Sequence, residues 1–207
     1  MNNTALNPHL RQTNVIASAF SFFVGGTEII LENKGENKGQ ITVNDKSKGT
    51  YQMYWGAMGG NIQDFLLQIN SDYFTDKLLG AMSTQTFDCK GTFASVRKFI
   101  REELDLPWYK HLDFQKNLRD ELSYFQERCT EYNSDQYFVD HFSDYLDRRL
   151  KFFLIDDRWE RERIEKDFKD ISEPWHFIQT KESDTAKWLK SLHSKIKRKL
   201  QSKSVLS

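Results

Sequence analysis

Three kinds of residue in this sequence have the chemistry for catalysis, but none of them forms a complete catalytic motif. Glu32 and Lys34, at the end of a predicted strand, match the acidic-x-Lys half of a metal-dependent nuclease site, yet no aspartate is evident on a partner strand. Cys89 and Cys129 would need a base folded beside them to act as nucleophiles. The histidines lack the HExxH and His-x-Glu/CxxC spacings of zinc sites. We therefore expect no catalytic residues, no metal and no cofactor.

The C-terminal segment has the clearest charge pattern in the chain. It contains seven basic residues and no acidic residue between Thr185 and Ser207. Apolar residues recur there at helical spacing, which predicts an amphipathic helix with most of its basic residues on the opposite face. Basic side chains bind nucleic-acid phosphates without sequence preference, so we predict a nucleic-acid-binding set of Lys187, Lys190, Lys195, Lys197, Arg198 and Lys199. The alternative is a lysine face that only keeps the helix solvated or pairs with the acidic middle of the chain.

A second charged stretch, residues 156–170, contains acid–base pairs four residues apart with the acid first, the order that supports a helix. This spacing predicts that a helix starting at Ser134 continues toward Pro174 as a solvated hairpin. Arginine and tryptophan are enriched at binding hot spots, so a partner-binding surface is predicted at Arg158, Trp159, Arg161 and Arg163. A solvated helix with the tryptophan packed on a neighbour is the alternative.

An aromatic cluster and a glycine-rich segment lie next to each other in the first half of the chain. Tyr51, Tyr54 and Trp55 provide rings that can stack on bases, and the sequence WGAMGGN follows before a helix. A glycine-rich loop before a helix can also cradle phosphate. Because neither GKS/T nor GxGxxG occurs, a simple turn and a helix starting at Asn61 are expected, with some of the rings in the core.

Glycine usage separates the chain into two regions. All ten glycines lie between Gly25 and Gly91, and residues 92–207 contain none. Alternating apolar residues predict an antiparallel β meander in the first region, packed on a helix near residues 62–79. The second region shows helical periodicity alone. We therefore predict an α+β fold with a β meander plus helix over residues 1–91 and a helical region over residues 92–207.

Overall composition restricts the class of protein. The 207 residues carry 30 Lys+Arg and 30 Asp+Glu, which argues against a globally basic nucleic-acid binder and against an acidic DNA mimic. Aromatic residues make up 14%, enough for a substantial core. Two cysteines are too few for a disulfide scaffold, and no apolar run reaches the roughly 20 residues of a membrane helix. A cytoplasmic location without membrane contact is expected.

A run of residues in the first half also resembles a known group of proteins. It comprises Gly49, Tyr51, Tyr54, Trp55, Gly56, Phe65, Leu66, Asp72, Tyr73, Phe74, Lys77, Leu78, Phe87, Asp88, Arg97, Lys98 and Ile100. Over about residues 27–101 the chain resembles small proteins encoded by phages and prophages.

The resemblance implies a non-catalytic binding protein in the cytoplasm of a bacterial host cell. Its implied partner is a host protein or ribonucleoprotein complex, and its implied role is to inhibit a host defence complex such as a CRISPR effector. The alternative function is a nucleic-acid-binding accessory protein that uses the basic C-terminal helix for nonspecific contact.

Overall fold

The structure, a computed structural model, describes residues 18–80, 84–103, 112–153, 162 and 173–204. The chain forms two compact units, and the second is a continuous segment that separates the two parts of the first in the sequence. The first unit contains the residues up to Thr84 together with those from Glu182 onward, and the second contains residues 85–181. The last helix of the sequence therefore belongs to the same unit as the N-terminal sheet.

Four strands of the first unit form the antiparallel meander that the sequence predicts. They are, in sheet order, β1 (Ala19–Val24), β2 (Thr27–Gly35), β3 (Lys38–Asp45) and β4 (Gly49–Trp55). Each strand pairs with the next one along the chain, and side chains alternate between the two faces of the sheet. One face carries the buried apolar residues, which include Ile29, Leu31, Ile41 and Val43.

The loop after β4 folds back onto the hairpin formed by β2 and β3. Met58 donates its backbone N–H to the carbonyl oxygen of Asn37 at 2.8 Å. Gly39 lies under this loop, where a Cβ atom would stand 2.6 Å from Met58 Cε and 3.0 Å from a backbone oxygen. Glycine is favoured at this close approach, because a Cβ atom would force the Met58 side chain to move and would press against the Glu32 carbonyl oxygen. The glycine-rich segment is thus a packed connection.

Two helices follow where the sequence predicts one helical segment near residues 62–79. They are α1 (Ile62–Gln68) and α2 (Ser71–Leu79). The side chain of Asn61 accepts a backbone N–H of α1, and the side chain of Asn70 accepts one of α2. Each asparagine satisfies an amide that the first helical turn leaves unpaired, so the second cap starts a new helix and divides the segment.

The last helix, α6 (Asp184–Ser204), packs in one core with α1, α2 and the buried face of the sheet. Its apolar residues are three and four positions apart and are buried at Leu189, Leu192, Ile196 and Leu200. Full burial of a leucine or isoleucine side chain contributes about 1.5–3 kcal/mol. The apolar stripe therefore holds α6 in place and directs its other side to solvent.

The second unit is helical and has a core made mainly of phenylalanine. Its helices are α3 (Cys89–Glu103), α4 (Leu112–Tyr132) and α5 (Asp135–Phe153). It also contains a 3-10 helix at Pro174–Phe177 and the strand β5 (Gln85–Phe87), which pairs with β6 (Thr180–Glu182), a strand whose last residue already belongs to the first unit. The ring of Phe93 packs edge-on against Phe125 and Phe138, with centroids 5.4 and 5.6 Å away. Such edge-to-face contacts stabilise a core beyond simple burial.

The combination of an N-terminal antiparallel sheet with helices confirms the α+β fold class. Sequence reasoning did not anticipate β5 and β6, which have three residues each and pair across a long sequence separation. Among the helices that the structure describes, none combines the length and apolarity needed to cross a membrane.

Candidate functional site

The six basic residues predicted to contact nucleic acid lie on α6 in different environments. Lys190 is held within its own unit, where its ammonium group donates to the carboxylates of Asp72 and Glu182. These hydrogen bonds raise the pKa of Lys190 above its ordinary value. Lys187 is exposed and lies 3.5 Å from Asp184 at the start of the helix. Lys190 therefore fastens α6 to α2, and its charge is already balanced.

The remaining four basic residues form no ion pair with any residue that the structure describes. Lys197 is half-buried, whereas Lys195, Arg198 and Lys199 are exposed. Arg198 and Lys199 follow Lys195 by three and four positions, so the three side chains project from one side of the helix. We name Lys195, Arg198 and Lys199 the basic face. It presents three uncompensated positive charges to solvent.

His193 lies on the buried side of α6. Its ring stacks on Phe74 with centroids 4.4 Å apart, and Nε2 donates to the carbonyl oxygen of Leu66 at 3.1 Å. Burial lowers the pKa of His193, with a smaller contribution in the same direction from the charge of Lys197. The ring is therefore neutral at neutral pH and joins α6 to α1 and α2.

The residues with catalytic chemistry are engaged in structural contacts. Glu32 accepts hydrogen bonds from Lys34 at 2.7 Å and from Gln40 at 2.8 Å. Both cysteines are buried, and burial raises the pKa of Cys129 to about 12, so that its thiol stays protonated. Within the described ranges no group of three or more His, Cys, Asp or Glu residues is arranged to hold a metal ion.

The predicted aromatic cluster of β4 is divided between the two faces of the sheet. Tyr51 packs against Trp188 with centroids 5.8 Å apart, and Trp55 packs against Phe65 at 5.3 Å. Only Tyr54 of the three is markedly exposed, at 48%. One exposed ring is not a stacking platform, so the cluster serves mainly to hold the helices against the sheet.

The predicted partner-binding residues Arg158, Trp159, Arg161 and Arg163 lie outside the described residues. The described part of α5 ends at Phe153. The continuation of that helix through residues 156–170, and the surface on it, stay predictions.

A second surface, which sequence reasoning missed, lies between α4 and α5 of the second unit. It is an open cleft of about 530 Å³, within the range of about 300–1,000 Å³ typical of ligand sites. We name it the tyrosine cleft, and its lining residues are Tyr124, Phe125, Arg128, Tyr137, His141, Asp144 and Tyr145. Three tyrosines, an arginine and a histidine thus surround one depression.

Four rings of the tyrosine cleft, those of Phe125, Tyr137, His141 and Tyr145, are held by contacts with other rings. Tyr137 stacks on Tyr132 at the rim, with centroids 4.3 Å apart, and meets the edge of His141 at the same distance. Deeper in the cleft, Tyr145 stacks on the buried Phe125 at 4.7 Å. These contacts restrict ring rotation, so a ligand would meet a preformed surface and lose less conformational entropy on binding.

Arg128 is bound to the tyrosines around it. It lies over the ring of Tyr132 at 5.7 Å from the centroid and 3.8 Å from the carboxylate of Glu131. Its guanidinium group donates to the hydroxyl oxygen of Tyr137, and this bond, with the nearby tyrosines, raises the pKa of Arg128. Among these partners Glu131 is the one with an opposite charge, so it offsets part of the charge of Arg128.

The charge around the tyrosine cleft is negative. Asp144 lines the cleft, Glu121 accepts a hydrogen bond from the hydroxyl group of Tyr145, and Glu131 lies 3.8 Å from Arg128, the arginine of the lining. A net charge of one sign around a cleft raises the local concentration of ligands of the opposite sign. The basic face and the tyrosine cleft thus favour ligands of opposite charge.

The sequence contains a signal for this cleft. Tyr124, Arg128 and Tyr132 are spaced four residues apart on α4, and Tyr137, His141 and Tyr145 repeat that spacing on α5. Each set forms a stripe beside the apolar stripe that enters the core. Sequence reasoning followed the apolar stripes alone.

Comparison with known proteins adds one relationship. A protein-family model described as a phage family matches residues 22–202. This confirms the resemblance noted over residues 27–101 and extends it through most of the chain. Neither the curated proteins nor the solved structures contain a significant match.

Proposed function

Since the chain belongs to this phage family, we propose that it is a non-catalytic binding protein that acts on a host protein or ribonucleoprotein in the bacterial cytoplasm. A host defence complex, such as a CRISPR effector, is the class of target we propose. A phage protein of this kind would act by occupying a surface that its target needs, and it would require no reaction of its own.

The tyrosine cleft is the observation that carries this proposal. Tyrosine and arginine are enriched among the residues that contribute most to binding energy at protein interfaces. Tyr124 and Tyr132 are 54% and 53% exposed, although burial of an aromatic ring would stabilise the free protein. A set of exposed rings beside an arginine is better explained by contact with a partner than by stability of the free protein.

The engagement of the other reactive groups gives further support. Glu32 is hydrogen-bonded within the sheet, His193 is held in the core, and Cys129 has a protonated thiol. A general base or nucleophile needs access to a substrate at hydrogen-bonding distance. Binding to a partner needs no accessible base or nucleophile, so these engaged side chains are compatible with a binding function.

The test is affinity capture with the full-length protein from a lysate of host bacteria. The wild-type chain should retain a stoichiometric partner, and the double variant Tyr124→Ala/Tyr132→Ala should lose it. Tyr54→Ala, which removes an exposed ring from the sheet, is the matched control and should retain the partner. Capture that does not depend on the cleft tyrosines would contradict the proposal.

The proposed target class has its own test. Expression of the chain in bacteria whose CRISPR effector is programmed against a phage should restore plaque formation toward the level of an untargeted phage. The double variant should restore fewer plaques than wild type at equal expression. Unchanged immunity in the presence of the wild-type protein would remove the effector from the target class.

A second candidate function, nucleic-acid binding, is supported by the basic face. Lys195, Arg198 and Lys199 are exposed and form no ion pair in the described part of the chain. Lysine-rich faces bind phosphates with an affinity that falls steeply with salt. A gel shift at two salt concentrations tests this function, because reversal of all three charges to glutamate should abolish the shift. Reversal of the exposed Lys38, Lys46 and Lys48 on the sheet turns is the matched control.

A further inference from the structure

We propose that the tyrosine cleft binds a lysine or arginine side chain of a basic polypeptide segment. This assignment rests on the proposed binding function and gives the partner a chemistry. It depends on three features of the cleft, namely an available aromatic ring, acidic residues in or beside the lining, and an arginine whose charge is partly offset by Glu131.

Tyr124 provides the available ring. It is 54% exposed and stacks on no other ring in the described part of the chain, whereas Tyr137 and Tyr145 each stack on a neighbour. The face of an aromatic ring carries partial negative charge and attracts a cation placed within about 6 Å of its centroid. Tyr124 therefore leaves one such position open at the mouth of the cleft.

The same interaction already occurs elsewhere in this surface. Arg128 lies 5.7 Å from the centroid of Tyr132, and its positive charge is also near Glu131. Glu131 offsets part of this charge, which reduces its repulsion of an incoming cation. The contact between Arg128 and Tyr132 is thus an internal example of the contact proposed for Tyr124.

The surrounding charge selects a cationic ligand over a nucleic acid. A base could stack on Tyr124, but its phosphates would meet the carboxylate of Asp144 in the lining and those of Glu121 and Glu131, which contact Tyr145 and Arg128. A lysine or arginine side chain gains both the ring contact and the attraction of these carboxylates. The long aliphatic part of such a side chain can also pack against the rings that line the cleft.

The test measures binding of fluorescein-labelled oligoarginine and oligolysine peptides to the full chain by fluorescence anisotropy at low salt. Wild type should bind both peptides, and Tyr124→Ala should weaken binding about tenfold. Tyr124→Phe keeps the ring and should change affinity by less than about twofold. Tyr54→Ala is the control and should bind as wild type does.

Three results would overturn the assignment. Peptide affinity unaffected by Tyr124→Ala would show that the peptides bind acidic residues without the ring. An equal loss in Tyr124→Ala and Tyr124→Phe would assign the contact to the hydroxyl group. Binding of an oligothymidine that depends on Tyr124 would replace the cationic peptide by a nucleic acid.

These outcomes are separate from failure of the proposed function. If a host partner is captured through Tyr124 and Tyr132 but the basic peptides ignore Tyr124, the protein is a binder and the cation assignment is wrong. If the peptides require Tyr124 but no host partner is captured, the cleft chemistry stands and the proposed function is wrong. Circular dichroism of each variant checks that the exposed substitutions leave the fold intact.

Discussion

The basic face and the tyrosine cleft both lie on amphipathic helices whose other sides enter a core. They differ in the type of their side chains and in their charge. The basic face has three flexible side chains with positive charge on α6. The tyrosine cleft has stacked rings within a segment that carries seven acidic residues and one basic residue. The two surfaces thus carry charge of opposite sign, which the net charge of zero conceals.

The difference between the two surfaces concerns preorganisation as well as charge. Each lysine of the basic face must lose rotamer freedom when it meets a phosphate, and salt screens the attraction. Most rings of the tyrosine cleft are held by other rings before a ligand arrives, so binding there costs less side-chain entropy. We therefore expect adaptable and nonspecific contact at the basic face and selective contact at the tyrosine cleft.

The largest expected effect on stability comes from truncating a buried side chain beneath either surface. Ile196→Ala beneath the basic face should lower the free energy of unfolding by about 3 kcal/mol, and Phe138→Ala beneath the tyrosine cleft by about 4 kcal/mol. Both residues are fully buried. Urea unfolding measures these losses, and exposed Ser194→Ala is the control, with a change within about 0.5 kcal/mol. Losses below about 1 kcal/mol would mean that these residues do not support the surfaces.

The next effect separates the ligands of the two surfaces. Reversal of Lys195, Arg198 and Lys199 to glutamate should weaken oligonucleotide binding about 100-fold at low salt and reduce the slope of log affinity against log salt by about 2. The same triple variant should bind basic peptides as wild type does. Tyr124→Ala should give the reverse pattern, and loss of both ligands in either variant would show that the two surfaces are not independent.

The predicted surface at Arg158, Trp159, Arg161 and Arg163 is a third place where a host partner would bind. Reversal of the three arginines to glutamate should weaken capture of a host partner about tenfold, because arginine is common at binding hot spots. The melting temperature should stay within a few degrees of wild type. If capture is unaffected while Tyr124→Ala abolishes it, the partner contacts the tyrosine cleft alone.

The smallest expected effect is a pH dependence of stability at His193. Its pKa is lower in the folded protein than the ordinary value of 6.5, so below that pH the unfolded chain binds a proton that the folded chain resists. The contribution of neutral His193 is therefore complete above about pH 6.5 and is lost as the pH falls toward 5. Melting temperatures of wild type and His193→Gln between pH 7.5 and 5 should converge as the pH falls. Parallel curves would assign the acid sensitivity to other groups.

Local features allowed much of the fold to be predicted. The alternation of apolar residues predicts the strands, and Gly25 and Gly26, both with positive φ, form the first hairpin turn. Asn61 predicts the start of α1 because a side-chain oxygen there satisfies a free amide. Asn70 plays the same part for α2, but the apolar spacing continues past it, so the break between the two helices was missed.

The candidate site was less predictable, because pairing between helices creates it. Tyr132 and Tyr137 are five residues apart in the sequence and stack at 4.3 Å only because the chain reverses between them at Asn133, whose φ is 47°. In the sequence, Lys190 cannot be distinguished from the other basic residues of α6. Only its distance to Asp72 in the folded protein shows that it is part of an internal ion pair.

The sequence by itself determined the elements of this protein, because periodicity, caps and turns depend on residues within a few positions of one another. It thereby determined that α6 has one apolar and one basic side. The tertiary structure alone decided that the apolar side covers the sheet, that Lys190 is engaged while Lys195 is not, and that two stripes of aromatic residues form one cleft. These outcomes depend on contacts between distant residues, and an amphipathic helix specifies that it must be covered but not what covers it.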